Sequence, residues 1–124
     1  MGLSKPTFIA VLALTVFAFV VRSSAETKGD PQAGKAVYEE HCLKCHGEKG
    51  KGDGATAKKL KMKLLDYSSS PEVAKATDEE LIKITMQGGE AVGKSKLMPP
   101  YSDKLSAKQA ADVIAYVRAF AAKK

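Results

Sequence analysis

Apolar residues recur at helical spacing near the end of the chain. They lie three or four positions apart, as on one face of an α-helix: Ala110, Val113, Ile114, Val117 and Phe120. Just before them, Ser106 and Gln109 have the spacing of a capping box, in which each side chain binds the other residue's backbone amide. The pattern predicts a C-terminal helix of three to four turns that begins after Ser106.

Two further helices have start signals in the sequence. Asp30-Pro31 is typical of a helix start, with an N-cap aspartate and proline in the first helical position. Thr77 and Glu80 form a second capping box, and the apolar residues after them reach Gly88-Gly89, a glycine pair that predicts the helix end.

The remaining segments predict short helices separated by long loops. Residues 55–65 are interpreted as one helical stretch, and Pro71 as the first residue of a short helix. Four glycines in 47–54 and the glycine and prolines of 90–104 indicate loops. Because there is neither a strand pattern nor an internal repeat, we expect an all-α domain of about four to five helices.

The N-terminus has the pattern of a secretory signal peptide. Lys5 precedes an apolar run from Phe8 to Val21, and Ser23-Ser24-Ala25 offers the small residues of a cleavage site. The run is shorter than the roughly 20 residues of a membrane span. We therefore predict a signal peptide in residues 1–25, a mature domain in 26–124 and a periplasmic location. The alternative is an uncleaved membrane anchor.

Composition and charge narrow the function of this domain. The net charge is +6, and removal of Lys5 and Arg22 with the signal peptide leaves 18 basic against 14 acidic residues. The lysines are scattered along an exported chain, so a nucleic-acid-binding function is rejected. The mature domain is small and has no Trp. A domain of this size often needs a cofactor to complete its core.

The two cysteines carry the clearest chemistry. Cys42, Cys45 and the adjacent His46 form C-x-x-C-H, the attachment pattern of haem c. Thioether bonds from both cysteines tether the porphyrin, and His46 then offers an imidazole nitrogen to the iron. The alternatives are a strained disulfide, a thioredoxin-like redox pair without its strands, and a zinc site that needs His41 as fourth ligand.

Met98 is the candidate for the second axial ligand. It lies in a loop that contains Gly93, Pro99 and Pro100, well downstream of His46. A thioether paired with an imidazole raises the reduction potential and suits an electron carrier. Met62 and Met86 are interpreted as core-packing residues, and His41 is set aside because it arises on the same side as His46.

These motifs together resemble the class I c-type cytochromes of the bacterial periplasm. Gly34 and Tyr38 match the positions where the first helix of that family crosses the last, and Val113 and Tyr116 resemble their partners. The loop after His46 (residues 47–54) and the Met98 segment (residues 93–99) are also similar to their counterparts in that family. The resemblance implies the cytochrome c fold, one covalent haem c, and His46 and Met98 as axial ligands. One departure is that no proline follows His46 closely, so the group that orients its imidazole stays open.

The expected function is electron transfer rather than catalysis. With both axial positions filled, the iron has no site for a small-molecule substrate, so we predict no enzyme activity. Redox proteins with acidic docking surfaces are the expected partners, and Lys44, Lys94 and Lys96 are candidate rim charges. Membrane contact is expected only if the signal peptide is retained. Two alternatives stay open: a cytochrome subunit of a periplasmic dehydrogenase or oxidoreductase complex, and a haem-based ligand binder or sensor in which Met98 dissociates.

Overall fold

A computed structural model describes Gly2 and residues 28–122, and in these residues it contains helices and no strand. The predicted all-α class is confirmed. The helices are α1 (Pro31–His41), α2 (Leu43–His46), α3 (Ala55–Lys59), α4 (Pro71–Lys75), α5 (Asp78–Gln87), a 3₁₀ helix (Glu90–Val92) and α6 (Ala107–Ala121). Within this part of the chain, none of the helices is long and apolar enough to cross a membrane. Apart from Gly2, the predicted signal peptide lies outside the described residues.

Six α-helices are present in these residues, one more than the upper expectation. The extra helix is α2, a single turn that contains every residue of the C-x-x-C-H motif after Cys42. Cys42 ends α1, and its amide donates to the carbonyl of Tyr38. The chain then turns again from Leu43, so the motif straddles a helix end instead of continuing one helix.

The sequence signals for the long helices agree with the structure. The Asp30 side chain accepts from the Gln32 amide at the start of α1, and both predicted capping boxes are formed, at Thr77 before α5 and at Ser106 before α6. Gly88 ends α5 with a positive φ of 81°. These local hydrogen bonds satisfy amides that the helices themselves leave unpaired.

The crossing of α1 and α6 forms the centre of the core. A Cβ built at Gly34 would lie 1.9 Å from the carbonyl oxygen of Asp112, so the two backbones touch where a side chain would not fit. One turn further along α1, the ring of Tyr38 packs edge-on against Tyr116 and Phe120, with centroids 5.3 and 5.4 Å away. Val113 is also almost fully buried.

Asp112 is a buried carboxylate that the sequence did not single out. Its Oδ1 accepts the backbone N–H of Asp30 at 2.7 Å and pairs with Lys108 one turn earlier on α6. Burial opposes ionisation of this carboxyl, but the Asp30 amide and the Lys108 ammonium outweigh it and lower the pKa of Asp112. The carboxylate therefore fixes the start of α1 to the side of α6.

The prediction of one helix over residues 55–65 is wrong. α3 ends at Lys59, and Lys61 has a φ of +53°, a left-handed conformation incompatible with a continuing helix. The Met62 amide turns back to the carbonyl of Ala57. Residues 60–66 then run as a loop along the cavity described below.

Candidate functional site

A cavity of about 760 Å³ lies inside the helical frame. Cys42, Cys45, His46 and Met98, the four site residues predicted from the sequence, all line it. Much of the remaining wall is apolar and comes from the 62–67 segment, α4, α5 and α6, with side chains that include Leu64, Val73, Leu81, Ile84, Ile114 and Val117. The structure therefore brings the imidazole, the thioether and the two thiols predicted from the sequence to a single, largely apolar space.

Both cysteines are free thiols in the structure. Burial raises the pKa of Cys42 to about 12, with a smaller contribution from the neighbouring Cys45. Each thiol carries the S–H group that adds to a vinyl substituent when a thioether forms. The disulfide considered from the sequence is thus not formed here.

The glycine-rich loop after His46 folds back onto the motif. The Gly52 amide donates to the carbonyl of His46 at 2.8 Å, and the Gly54 amide donates to that of Cys45 at 3.1 Å. A Cβ at Gly54 would lie 2.4 Å from the carbonyl oxygen of Lys44. The Tyr38 hydroxyl donates to the carbonyl of Gly47 at 2.7 Å. The loop therefore holds the carbonyls at the end of α2, where a short helix leaves them unpaired.

The imidazole of His46 is held in a form that binds metals. Burial lowers the pKa of His46 to about 4, so the ring is neutral at physiological pH. Its face stacks on Tyr67, with centroids 4.9 Å apart and an angle of 20° between the planes. Nδ1 is buried without a hydrogen-bond partner in the described part of the protein. A neutral imidazole that lines an apolar cavity fits an iron ligand.

Tyr67 is a site residue that the sequence analysis missed. Its hydroxyl lies 3.3 Å from Nε2 of His46, and its amide donates to the carbonyl of Gly50 at 2.8 Å. Burial raises the pKa of Tyr67, so the hydroxyl stays protonated. Tyr67 is thus the aromatic side chain against which the His46 ring is oriented. Tyr67 lies just after the stretch interpreted as helical (55–65), and no local sequence signal places it beside His46.

The Met98 segment is attached to the end of α5 through two glycines. The Gly89 amide donates to the carbonyl of Met98 at 2.9 Å, and the Lys94 amide donates to the carbonyl of Gly89 at 2.7 Å. A Cβ at Gly89 would lie only 2.1 Å from the carbonyl oxygen of Ser95. Gly88-Gly89 therefore does more than end a helix, since it lets the loop that carries Met98 approach closely.

The other methionines and His41 have different surroundings. Met86 packs against the core, as predicted. Met62 lines the cavity and is not one of the core side chains, so its prediction as a core residue is wrong. His41 also lines the cavity, but its ring packs edge-on against Tyr101 with centroids 5.8 Å apart. No three His, Cys, Asp or Glu side chains among the described residues gather as a zinc site requires.

One of the predicted rim charges is engaged in an ion pair. Lys94 contacts the carboxylate of Glu72, and both residues line the cavity. The pair connects the Met98 segment to α4. It neutralises the positive charge of Lys94, which was predicted from the sequence to face a redox partner. Lys44 and Lys96 are exposed.

Comparisons with known proteins agree with this arrangement. The family model described as "Cytochrome c" matches residues 31–121. Among solved structures, the chain is similar to the KustC0563 c-type cytochrome, with 25% sequence identity, a TM-score of 0.57, and coverage of 70% of this chain and 95% of that one. A search of curated proteins gave no significant match.

Proposed function

We propose, from the premise that this chain belongs to the cytochrome c family, that it is a periplasmic shuttle for single electrons. The family transfers electrons on haem c, which is attached covalently to the protein. When bound, the haem supplies an iron that gains and loses one electron. The chain itself has to hold this group, surround it with apolar side chains and fill its axial positions.

In this proposal Cys42 and Cys45 form the thioethers, and His46 and Met98 are the axial ligands. The observation that carries the proposal is that the thiols of Cys42 and Cys45, the neutral imidazole of His46 and the thioether of Met98 line a single, largely apolar cavity. His46 keeps its lone pair because burial disfavours the protonated ring. Met98 needs no proton exchange at all, and paired with His it raises the reduction potential.

The residues around the site support a carrier over an enzyme. With His46 and Met98 both bound, no axial position is left for a substrate. The Met98 segment also lines the cavity, and the hydrogen bond from the Gly89 amide to the Met98 carbonyl attaches it to the end of α5. We therefore propose that only an electron enters and leaves, between the haem and redox proteins with acidic docking surfaces.

The proposed location rests on the sequence pattern of residues 1–25. Haem attached through C-x-x-C-H and a signal peptide before it are consistent with each other, since both indicate export. Contact with a membrane is proposed only for a chain that retains this segment.

Spectroscopy of the holoprotein tests the ligand assignment. A pyridine haemochrome assay should give one haem c per chain, and the oxidised protein should show the weak red absorption band of sulfur-to-iron ligation. Met98→Ala should abolish that band, lower the reduction potential and let the reduced protein bind carbon monoxide, because an axial position is opened.

Met62→Ala is the matched control, since Met62 lines the same cavity. It should keep the band. Survival of the band in Met98→Ala would refute the assignment. Ready binding of carbon monoxide by the unmodified protein at neutral pH would favour the ligand-binding alternative instead.

A further inference from the structure

One short segment accounts for the net positive charge of the mature domain, although lysines occur throughout the chain. Residues 26–124 contain 18 basic and 14 acidic residues. Residues 58–63, which we call the lysine loop, contain four lysines and no acidic residue: Lys58, Lys59, Lys61 and Lys63. The rest of the mature domain therefore balances to zero, and the lysine loop is the positive pole of the molecule.

The charges of the lysine loop are available to a partner. All four lysines are exposed, and none forms an ion pair within the described residues. By contrast, Lys35, Lys94 and Lys108 each contact a carboxylate. Lys58 and Lys59 end α3, and Lys61 lies in the turn that follows with a left-handed φ, so the four lysines are spread over a helix end and the adjoining turn.

Leu60 adds an apolar centre to these charges. Its side chain is 56% exposed, the largest value among the exposed large apolar residues of the described chain. The other two, Leu65 and Leu97, line the cavity, where a haem would contact them. Leu60 does not line it, so its exposure has no explanation inside the protein. An apolar side chain between Lys59 and Lys61 has the pattern of an interface centre with a charged rim.

The lysine loop also borders the site of electron transfer. Lys63 lines the cavity together with Met62 and Leu64, so the end of the loop is part of the cavity wall. A protein bound to the loop would lie beside the haem. Lys75 and Lys83 also line the cavity, but neither belongs to a cluster of lysines, and Lys94 is paired with Glu72. Lys28, Lys35 and Lys49 do not line it.

We propose that the lysine loop is the docking surface for the redox partner, and that the partner presents carboxylates around an apolar patch that receives Leu60. The proposal rests on the proposed electron-transfer function and specifies where and how the partner binds. Charge complementarity at this pole steers the encounter, and the Leu60 contact adds short-range affinity. A protein partner is favoured over an anionic membrane, because lipid covering this edge of the cavity would hold no electron acceptor.

The experiment compares two variants of the holoprotein that have the same net charge. One replaces the lysine loop charges (K58Q/K59Q/K61Q/K63Q), and the control replaces four lysines elsewhere (K28Q/K35Q/K49Q/K104Q). The probe is a gold electrode coated with a mixture of carboxylate- and methyl-terminated thiols. At low ionic strength we expect the interfacial electron-transfer rate to fall about tenfold for the loop variant and less than about twofold for the control.

Leu60→Ser tests the apolar contact separately. It should weaken adsorption on the mixed coating and leave adsorption on a pure carboxylate coating unchanged. Equal losses for the two quadruple variants would overturn the proposal. So would unchanged electrode rates in a loop variant that no longer sediments with phosphatidylglycerol vesicles, since the loop would then be a lipid-binding element.

The same measurement separates this proposal from the proposed electron-transfer function on which it rests. Absence of a reversible one-electron wave for the unmodified protein in solution would refute the electron-transfer function. A normal wave with no difference between the loop variant and the control would refute the docking surface alone.

Discussion

Gly34 and Gly89 lie in two different regions of the molecule, and each allows two stretches of backbone to approach closely. Each lies so close to another backbone that an added Cβ would meet a carbonyl oxygen, at 1.9 Å from Asp112 and 2.1 Å from Ser95 respectively. Neither has a positive φ, so the close approach alone requires glycine. Gly34 lies at the crossing of α1 and α6, whereas Gly89 faces the loop that carries Met98.

The two regions differ in what holds the facing backbone. At Gly34 the partner is α6, fifteen residues of continuous helix with a capping box and a buried face. At Gly89 the partner is a loop attached by a few hydrogen bonds, such as those of Lys94 and Met98. A packed helix pair transmits a clash to the whole fold, whereas a loop yields locally. The packed helices, which we call the frame, therefore provide most of the stability, whereas the loops hold the part of the site that can adjust.

Gly34→Ala should have the largest effect. The methyl group has to push α1 away from α6, and we expect a loss of about 3 kcal/mol or more in the free energy of unfolding. For a domain of about 100 residues this lowers Tm by roughly 12 °C or more. Thermal unfolding of the holoprotein, followed by far-ultraviolet circular dichroism, measures it.

Gly89→Ala should affect the site more than the fold. The Ser95 carbonyl must move, and the Met98 segment moves with it, so we expect partial loss of the sulfur-to-iron band at a cost of about 1 kcal/mol in unfolding. Gly93→Ala is the control on the same loop. Nothing lies within 4 Å of its Cβ position, and only its φ of +74° is strained, so its band should persist.

Comparing Gly34→Ala with Gly89→Ala is informative, because the sizes of their effects on Tm could be the reverse of those expected. A larger fall in Tm for Gly89→Ala than for Gly34→Ala would show that the Met98 loop, and not the helix crossing, limits the stability of the protein. The distinction between frame and loop would then be wrong.

Asp112→Asn should have the smallest effect, and it should depend on pH. The folded-state pKa of Asp112 is lowered, so its contribution is present above the ordinary carboxyl range near 4 and is lost as the pH falls through the folded value. We expect the variant to be less stable by about 1 kcal/mol at pH 7 and to match the unmodified protein at very low pH.

Urea unfolding at both pH values checks this prediction, with the exposed Asp103→Asn as control. A stability difference that persists undiminished at low pH would mean that the Asp112 charge contributes nothing and that shape or packing is responsible.

The sequence predicted the frame because its signals are local. Capping boxes at Thr77 and Ser106 and the Asp30-Pro31 start each involve residues within one turn, so they act before any tertiary contact forms. The failure at residues 55–65 has the opposite cause. The helical pattern there is genuine at short range, but the turn at Lys61 directs the chain along the cavity, and tertiary packing decides that path.

The site was predictable in its chemistry and not in its supports. C-x-x-C-H is recognised from its spacing, and Met98 was chosen from its glycine- and proline-containing loop and from the family resemblance. Tyr67 stacks on His46 from 21 residues away, and the contact of Gly89 with Ser95 depends on how a loop folds back onto α5. Asp112 is bound by Asp30 at the other end of the chain. Such pairings depend on the finished topology, so no local pattern reports them.

The half-buried thiol of Cys42 has a consequence for the order of events in biogenesis. With its pKa raised to about 12, this sulfur is almost entirely protonated at neutral pH, and a protonated thiol exchanges slowly with disulfides. Oxidation of the motif would therefore compete with haem attachment mainly while the chain is still unfolded. While it stays protonated, the Cys42 thiol resists disulfide exchange, which favours the reduced form of the motif that haem attachment requires.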